Sequence, residues 1–105
     1  GGNENAPQPL LIGEIMNQND IVSVITPAGE FIGKLAFETD TRLKLNDPRM
    51  LITTNEGMGF ARGVCLTGVE NPDEMTFYSA GIIFVSPTNE DVQKSYRKFT
   101  SGIIT

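Results

Sequence analysis

The sequence predicts a mainly β domain: a small, strongly bent antiparallel barrel with a short helix before it and a second helix after it. Three observations lead to this fold class. Segments rich in β-branched and aromatic residues alternate with turn residues, a glycine stands inside one of these segments, and one amphipathic segment near the end has the charge pattern of a helix. A chain of 105 residues is long enough for one domain with a modest core.

The elements can be placed in order along the chain. Residues 1–7 are polar and are left out as a tail, and residues 8–105 are expected to form a single domain. The apolar residues of Pro9–Met16 lie on one stripe, which predicts a short helix, with a strand as the alternative. A barrel is expected over about residues 21–87. Its strands are predicted at Ile21–Thr26, Phe31–Phe37, Arg42–Leu45, Met50–Thr54, Phe60–Leu66, Met75–Tyr78 and Gly81–Val85.

Two residues predict where the strands bend. Alternation places Phe31, Gly33, Leu35 and Phe37 on one face, and a glycine inside a strand indicates a sharp bend or a close approach of another backbone. Pro48 cannot donate a ladder hydrogen bond, so the pairing is expected to be broken or bulged there. Strong bending is what a small closed barrel requires.

The last element is predicted to be a helix over about residues 89–99. Thr88 is expected to be the N-cap, two acidic residues follow in the first turn, and basic residues lie toward the end, which complements the helix macrodipole. Val92, Tyr96 and Phe99 form an apolar stripe with helical spacing. The helix is therefore expected to pack on the barrel through this stripe.

Composition excludes several classes of function. The chain has 8 basic and 13 acidic residues, a formal charge of −5, and no histidine. Histidine is the commonest general base and metal ligand, and no other catalytic or metal-binding set can be assembled, so we expect no enzyme, no metal and no cofactor. No apolar run reaches the length of about 18 residues that spans a bilayer. Without a visible signal segment, a cytoplasmic protein with no membrane partner is expected.

Three features have both a chemical and a structural interpretation, and the structural one is favoured each time. Cys65 lies in an apolar alternation and the chain has no histidine to activate it, so we expect a buried, inert thiol rather than a nucleophile. Gly57–Gly59 lacks the helix and the Lys-Ser/Thr pair of a phosphate loop, so it predicts a hairpin loop. The carboxylates at Glu38 and Asp40 and at Glu70–Glu74 lie in turns, where solvation is more common than calcium binding.

The charge is unevenly placed along the chain. A net negative charge argues against nonspecific binding to nucleic acid, because that affinity comes mostly from phosphate neutralisation. Residues 31–62 nevertheless hold five of the eight bases. These are Lys34, Arg42, Lys44, Arg49 and Arg62. The sequence therefore leaves open whether these five bases form a locally basic face.

The whole order of elements resembles the Sm-like (Lsm) family, which includes the bacterial Hfq proteins. The first stretch of resemblance consists of Pro9-Leu10 with Ile15 and Met16, Val22-x-Val24, Gly29-Glu30-Phe31-x-Gly33-x-Leu35, Asp40 and Leu43-x-Leu45. The second stretch is Tyr78–Pro87, which looks like a strand, a tight turn and a final strand. The ending Tyr96–Ile103 is also similar to small Sm-like proteins encoded by tailed phages of marine bacteria.

The resemblance implies a bent five-stranded barrel that forms a homo-oligomeric ring. Its fourth and fifth strands would pair with neighbours, with Met75–Tyr78 of one subunit against Ile82–Val85 of the next. The interface residues implied are Phe77, Tyr78, Ile82 and Phe84. The family binds RNA at loops that converge on the pore, and the residues implied here are Asp40, Thr41, Arg42, Lys44, Ser79 and Gly81.

Two functions remain open at this point. In the first, the ring binds single-stranded RNA, with Arg42 stacking on a base, Lys44 contacting phosphate or base, and Asp40 orienting the loop. In the alternative, the protein is a structural or assembly module, of a phage type, that keeps the ring without RNA binding. The alternative arises because Ser79 and Ala80 stand where the family has basic or histidine residues.

Overall fold

The computed structural model describes residues 17–62 and 65–101. Six strands are followed by one helix. They are β1 (Ile21–Thr26), β2 (Gly29–Glu38), β3 (Arg42–Thr54), β4 (Gly57–Ala61), β5 (Glu74–Tyr78), β6 (Phe84–Pro87) and α1 (Glu90–Thr100). The mainly β class and the C-terminal helix are confirmed, whereas the predicted helix at Pro9–Met16 lies outside the described residues.

The strands form one open antiparallel sheet rather than a closed barrel in the part of the chain described. The order is β4-β3-β2-β1-β6, and β5 also pairs with β3. The sheet is curled, because Met75 and Phe77 of β5 and Val85 of β6 pack against the same core cluster. The rings of Phe31 and Phe77 meet edge to face with centroids 5.2 Å apart. The inner core therefore draws side chains from both ends of the sheet.

Of the two structures predicted at Gly33, a bend or a close approach of another backbone, the close approach is confirmed. A Cβ atom on Gly33 would lie 2.9 Å from the Cβ of Leu45 and 3.0 Å from the carbonyl oxygen of Asn46, so only glycine allows β2 and β3 to approach this closely. Opposite it, the register shifts so that Asp47 and Pro48 are accommodated as a bulge. Asp47 adopts a left-handed φ of 53°. The two strands predicted on either side of Pro48 are thus one bulged 13-residue strand.

A second irregularity corrects the predicted position of Phe37. The ladder pairs Leu35 with Leu45 and then Phe37 with Lys44, which leaves Ala36 as an extra residue in β2. An extra residue reverses the faces of the strand beyond it. Phe37 therefore points away from the core that Leu35 helps to form.

Helix α1 packs on the outer face of the curled sheet. Its Tyr96 is fully buried with Ile21 and Ile32, and Val92 packs against the same cluster. The predicted N-cap is wrong by one residue: the Asn89 side chain accepts from the Val92 N–H at 2.9 Å. Thr88 does not take this role, because its hydroxyl is buried and forms a 2.7 Å hydrogen bond with the hydroxyl of Ser23.

The Tyr96 hydroxyl stabilises the bulge of β3 from outside. It donates to the carbonyl oxygen of Asp47 at 2.7 Å. Burial, and to a smaller extent the nearby Asp47 carboxylate, raise the pKa of Tyr96 well above its ordinary value. The phenol therefore remains a protonated donor throughout the physiological range.

The remaining predictions are partly confirmed. A hairpin joins β3 and β4 through Asn55–Glu56, with Gly57 at φ 116°, so the expected loop is a tight turn. The last strand begins at Phe84 rather than Gly81. Cys65 is exposed rather than buried. In the described ranges, no helix is both long and apolar enough to cross a membrane.

Candidate nucleic-acid interface

The loop between β2 and β3 is organised by Thr39. Its hydroxyl oxygen accepts from the backbone N–H groups of Thr41 and Arg42, each at 3.2 Å. Its backbone N–H donates to the Arg42 carbonyl at 2.8 Å. A threonine hydroxyl that bonds the backbone two and three residues ahead is typical of a tight polar turn. Asp40, the residue expected to orient the loop, is exposed at its tip.

The two loops implied by the resemblance lie side by side. Residues Ser79–Gly81 form one turn of 3-10 helix between β5 and the segment leading to β6. The Ser79 N–H donates to the Thr41 carbonyl oxygen at 2.8 Å. Gly81 faces open space, with nothing within 4 Å of the position of a Cβ atom. Residues that are about 40 positions apart in sequence are thus brought together at one end of the sheet.

Arg42 and Lys44 lie on the outer face beside two aromatic rings. The Arg42 guanidinium and the Lys44 ammonium are each 5.8 Å from the centre of the Phe37 ring. Tyr78 of β5 stands directly opposite Arg42 in the ladder, and residues opposite each other point to the same face. We call Phe37, Arg42, Lys44 and Tyr78 the aromatic–cation patch.

The five bases of residues 31–62 do not form a basic face. Lys44 is paired with the Glu74 carboxylate. Two others share the Asp47 carboxylate, Lys34 at 3.9 Å and Arg49 at 3.7 Å, and Arg62 donates to an asparagine. Among the residues described, Arg42 alone of these five has no hydrogen bond or ion pair to a side-chain oxygen. Positive charge available to a phosphate is thus concentrated at Arg42.

The four predicted interface residues divide into two pairs. Phe77 and Ile82 are half-buried against the inner core, so they stabilise the subunit itself. Tyr78 and Phe84 are 64% and 54% exposed. Ile83, which lies within the predicted contact segment Ile82–Val85, is 60% exposed beside Phe84.

The strands that carry these residues have unpaired edges. Within the ranges 17–62 and 65–101, β5 pairs only with β3, and β6 pairs only with β1. An unpaired edge presents a row of free backbone donors and acceptors. The exposed apolar residues therefore flank two edges that are available for strand pairing.

The side chains at this end of the sheet define which kinds of ligand could bind there. In the described part of the chain, no group of three or more metal-ligating side chains is found. The chemistry available consists of one unpaired guanidinium, one paired ammonium, two aromatic rings and backbone groups of two loops. Such groups bind anionic or aromatic ligands without covalent chemistry.

Sequence reasoning missed three residues of this region. Phe37 was placed on the same strand face as Leu35 because the bulge at Ala36 was not expected, and Glu74 was assigned to a solvated turn. The role of Thr39 has a recognisable signal, since threonine at the start of a short polar loop favours this turn. Neither family models nor curated proteins gave a match to the chain.

Proposed function

We propose that this protein is an Sm-like homo-oligomer that binds single-stranded RNA at the loops Thr39–Arg42 and Ser79–Gly81. The hydrogen bond from Ser79 N–H to the Thr41 carbonyl is the observation that carries the proposal. It supports the juxtaposition that the resemblance implies, because the two loops that would form the RNA site belong to distant parts of the chain. The unpaired Arg42 beside them supplies a cation for phosphate or base.

The strand order supports the oligomeric part of the proposal. A curled sheet with β6 at one end and β5 on β3 leaves two different edges joined by a short turn. Contact between unlike surfaces proceeds head to tail and closes into a ring when the rotation between subunits allows it. Pairing would also satisfy the edge groups and cover Ile83 and Phe84.

RNA binding is tested by fluorescence anisotropy at low salt with uridine-rich and adenine-rich single strands. We expect saturable binding that weakens as salt rises. Arg42→Ala is expected to reduce the affinity by about tenfold or more, since hydrogen bonds to charged groups contribute about 1.5–3 kcal/mol. The matched control is Lys94→Ala, which removes an exposed cation of α1. Equal losses in both variants, or no binding by the wild type, would contradict the proposal.

A second candidate, an assembly module without RNA binding, is favoured by the charges around the loops. Glu38, Asp40 and Glu74 lie near only two cations, Arg42 and Lys44, so the local balance is not positive. Phosphate contacts provide most of the affinity for nucleic acid. The oligomer is common to both candidates, and they differ only in whether the loops hold RNA.

The oligomer is tested by light scattering and sedimentation. Phe84→Asp is expected to yield monomers, because it places a charge beside an edge that would be buried. Met58→Asp is the control, since Met58 is comparably exposed but lies on the β3–β4 hairpin. A wild-type protein that stays monomeric at high concentration rules out both candidates.

A further inference from the structure

The outer face of the sheet holds a surface that the loop site does not include. We propose that Phe37 and Tyr78, on either side of Arg42, each stack an unpaired base of single-stranded RNA while Arg42 contacts the phosphate between them. This inference rests on the proposed RNA binding and extends it from the loops onto the strands. It assigns base contact to two rings outside the loops.

The strand registers place both rings and the cations on one face. Leu43 and Leu45 of β3 and Phe77 of β5 belong to the inner core, so the residues that alternate with them point outward. These are Arg42, Lys44 and Tyr78, and the bulge at Ala36 adds Phe37 to them. Phe37 of β2 stands opposite Lys44 and Tyr78 of β5 stands opposite Arg42, so the two rings lie on either side of β3.

Exposure indicates that the rings are accessible to a flat ligand. Phe37 is 38% exposed and Tyr78 is 64% exposed. Tyr78 makes no ring-ring or cation–ring contact in the described part of the chain, whereas Phe37 contacts two cations. Exposed aromatic side chains next to cations are the usual way in which proteins hold single strands without reading sequence.

The Arg42 guanidinium, which has no ion pair among the described residues, favours an anionic aromatic ligand over a purely apolar partner. Burying Arg42 under an apolar surface would leave a guanidinium without a counter-ion, which is costly. A nucleotide supplies both a phosphate for Arg42 and bases for the rings. A base-paired duplex is excluded, because its bases are stacked on each other and present only their edges.

The test separates stacking from phosphate contact. Phe37→Leu, Tyr78→Leu and the control Phe99→Leu, an exposed ring on α1, are titrated with a uridine-rich RNA and with an abasic oligomer of equal length. We expect the first two variants to bind RNA about tenfold more weakly, with the salt dependence unchanged, and to bind the abasic oligomer as the wild type does. Phe99→Leu is expected to leave both affinities unchanged.

Three results would overturn the inference, and they differ in what they say about the proposed function. If wild-type protein binds RNA and both leucine variants bind equally well, the stacking assignment fails but RNA binding stands. If the wild type binds neither oligomer, both fail. If Tyr78→Leu weakens abasic binding as well and light scattering shows a smaller particle, the patch is a subunit contact and not a base-binding surface.

Discussion

The two halves of β3 differ in what covers their outer face. Over the second half, residues 49–54, helix α1 packs through Tyr96 and Val92 onto Leu51 and the neighbouring Phe60. Over the first half, Arg42–Asn46, nothing in the described chain covers the aromatic–cation patch. Around the second half of β3, the sheet thus buries apolar groups on both faces. Around the first half, together with the part of β5 that pairs with it, the sheet buries them on one face only, and we call this region the open half. An uncovered face with aromatic rings indicates a ligand or a partner.

The largest expected effect on stability comes from weakening the contact between α1 and the second half of β3. Tyr96→Ala is expected to lower the free energy of unfolding by about 3–5 kcal/mol, because it empties a fully buried ring site. Tyr78→Ala, on the open half, is expected to change it by no more than about 0.5 kcal/mol. Urea unfolding of both variants measures the contrast. Similar losses would show that the open half is equally important for stability.

The close contact between β2 and the bulge of β3 can be tested by a substitution at Gly33. Gly33→Ala is expected to cost about 1–3 kcal/mol, because the added methyl meets Leu45 and the Asn46 carbonyl and forces the backbones apart. The matched control is Gly81→Ala, where nothing lies within 4 Å of the new methyl. Urea midpoints provide the comparison, and a Gly33→Ala variant as stable as the control would mean that the two strands do not need this close contact.

A smaller effect is expected from the hydroxyl that joins α1 to the bulge. Tyr96→Phe is expected to cost about 1 kcal/mol at neutral pH, the usual contribution of one hydrogen bond. Because burial raises the pKa of Tyr96 in the folded protein, the ionised form is favoured in the unfolded chain. Stability is therefore retained below about pH 10 and falls at higher pH, by at most about 1.4 kcal/mol per pH unit.

Thermal unfolding followed across the alkaline range measures this component. The Tyr96→Phe variant lacks the titrating group and is expected to lose less stability per pH unit than the wild type. Parallel curves for the two proteins would contradict the raised pKa.

The smallest effect on stability is expected in the open half. Glu74→Gln removes the carboxylate paired with Lys44, and a partly exposed pair of this kind contributes about 0.5 kcal/mol or less. The same change frees Lys44 for a phosphate, so RNA affinity is expected to rise by about threefold or more at low salt. Asp73→Asn, a neighbouring acidic residue without a described ion pair, is the control. Unchanged affinity in Glu74→Gln would place Lys44 outside the binding site.

The sequence predicted those parts of the fold where a residue type or a spacing is compatible with few local structures. Gly33 indicated the close approach of β2 and β3, and Pro48 indicated the bulge. The spacing of Val92, Tyr96 and Phe99 indicated the helix. Faces beyond an irregularity were not predictable, because nothing about Ala36 shows that it is the extra residue of its strand. Phe37 was therefore placed on the same face as Leu35, and its contact with Arg42 on the opposite face was missed.

The capping error has a similar cause. Thr88 and Asn89 are both good N-cap residues, and propensity does not choose between neighbours. Tertiary contact decided, since the Thr88 hydroxyl is buried against Ser23 and Asn89 remains free to accept from the helix. The proximity of the two loops followed from the resemblance, because the pairing of β3 with β5 and the turn after it bring Thr41 and Ser79 together; the role of these loops in binding stays a prediction.

The hydrogen bond between Ser79 and Thr41 would link the two proposed equilibria, ligand binding and subunit association. Thr41 belongs to the loop proposed to bind a ligand. Ser79 is the first residue of the turn that separates the two unpaired edges. A ligand that fixes this loop in one arrangement acts on the edges as well. By thermodynamic reciprocity, the factor by which ligand strengthens subunit association must equal the factor by which association strengthens ligand affinity.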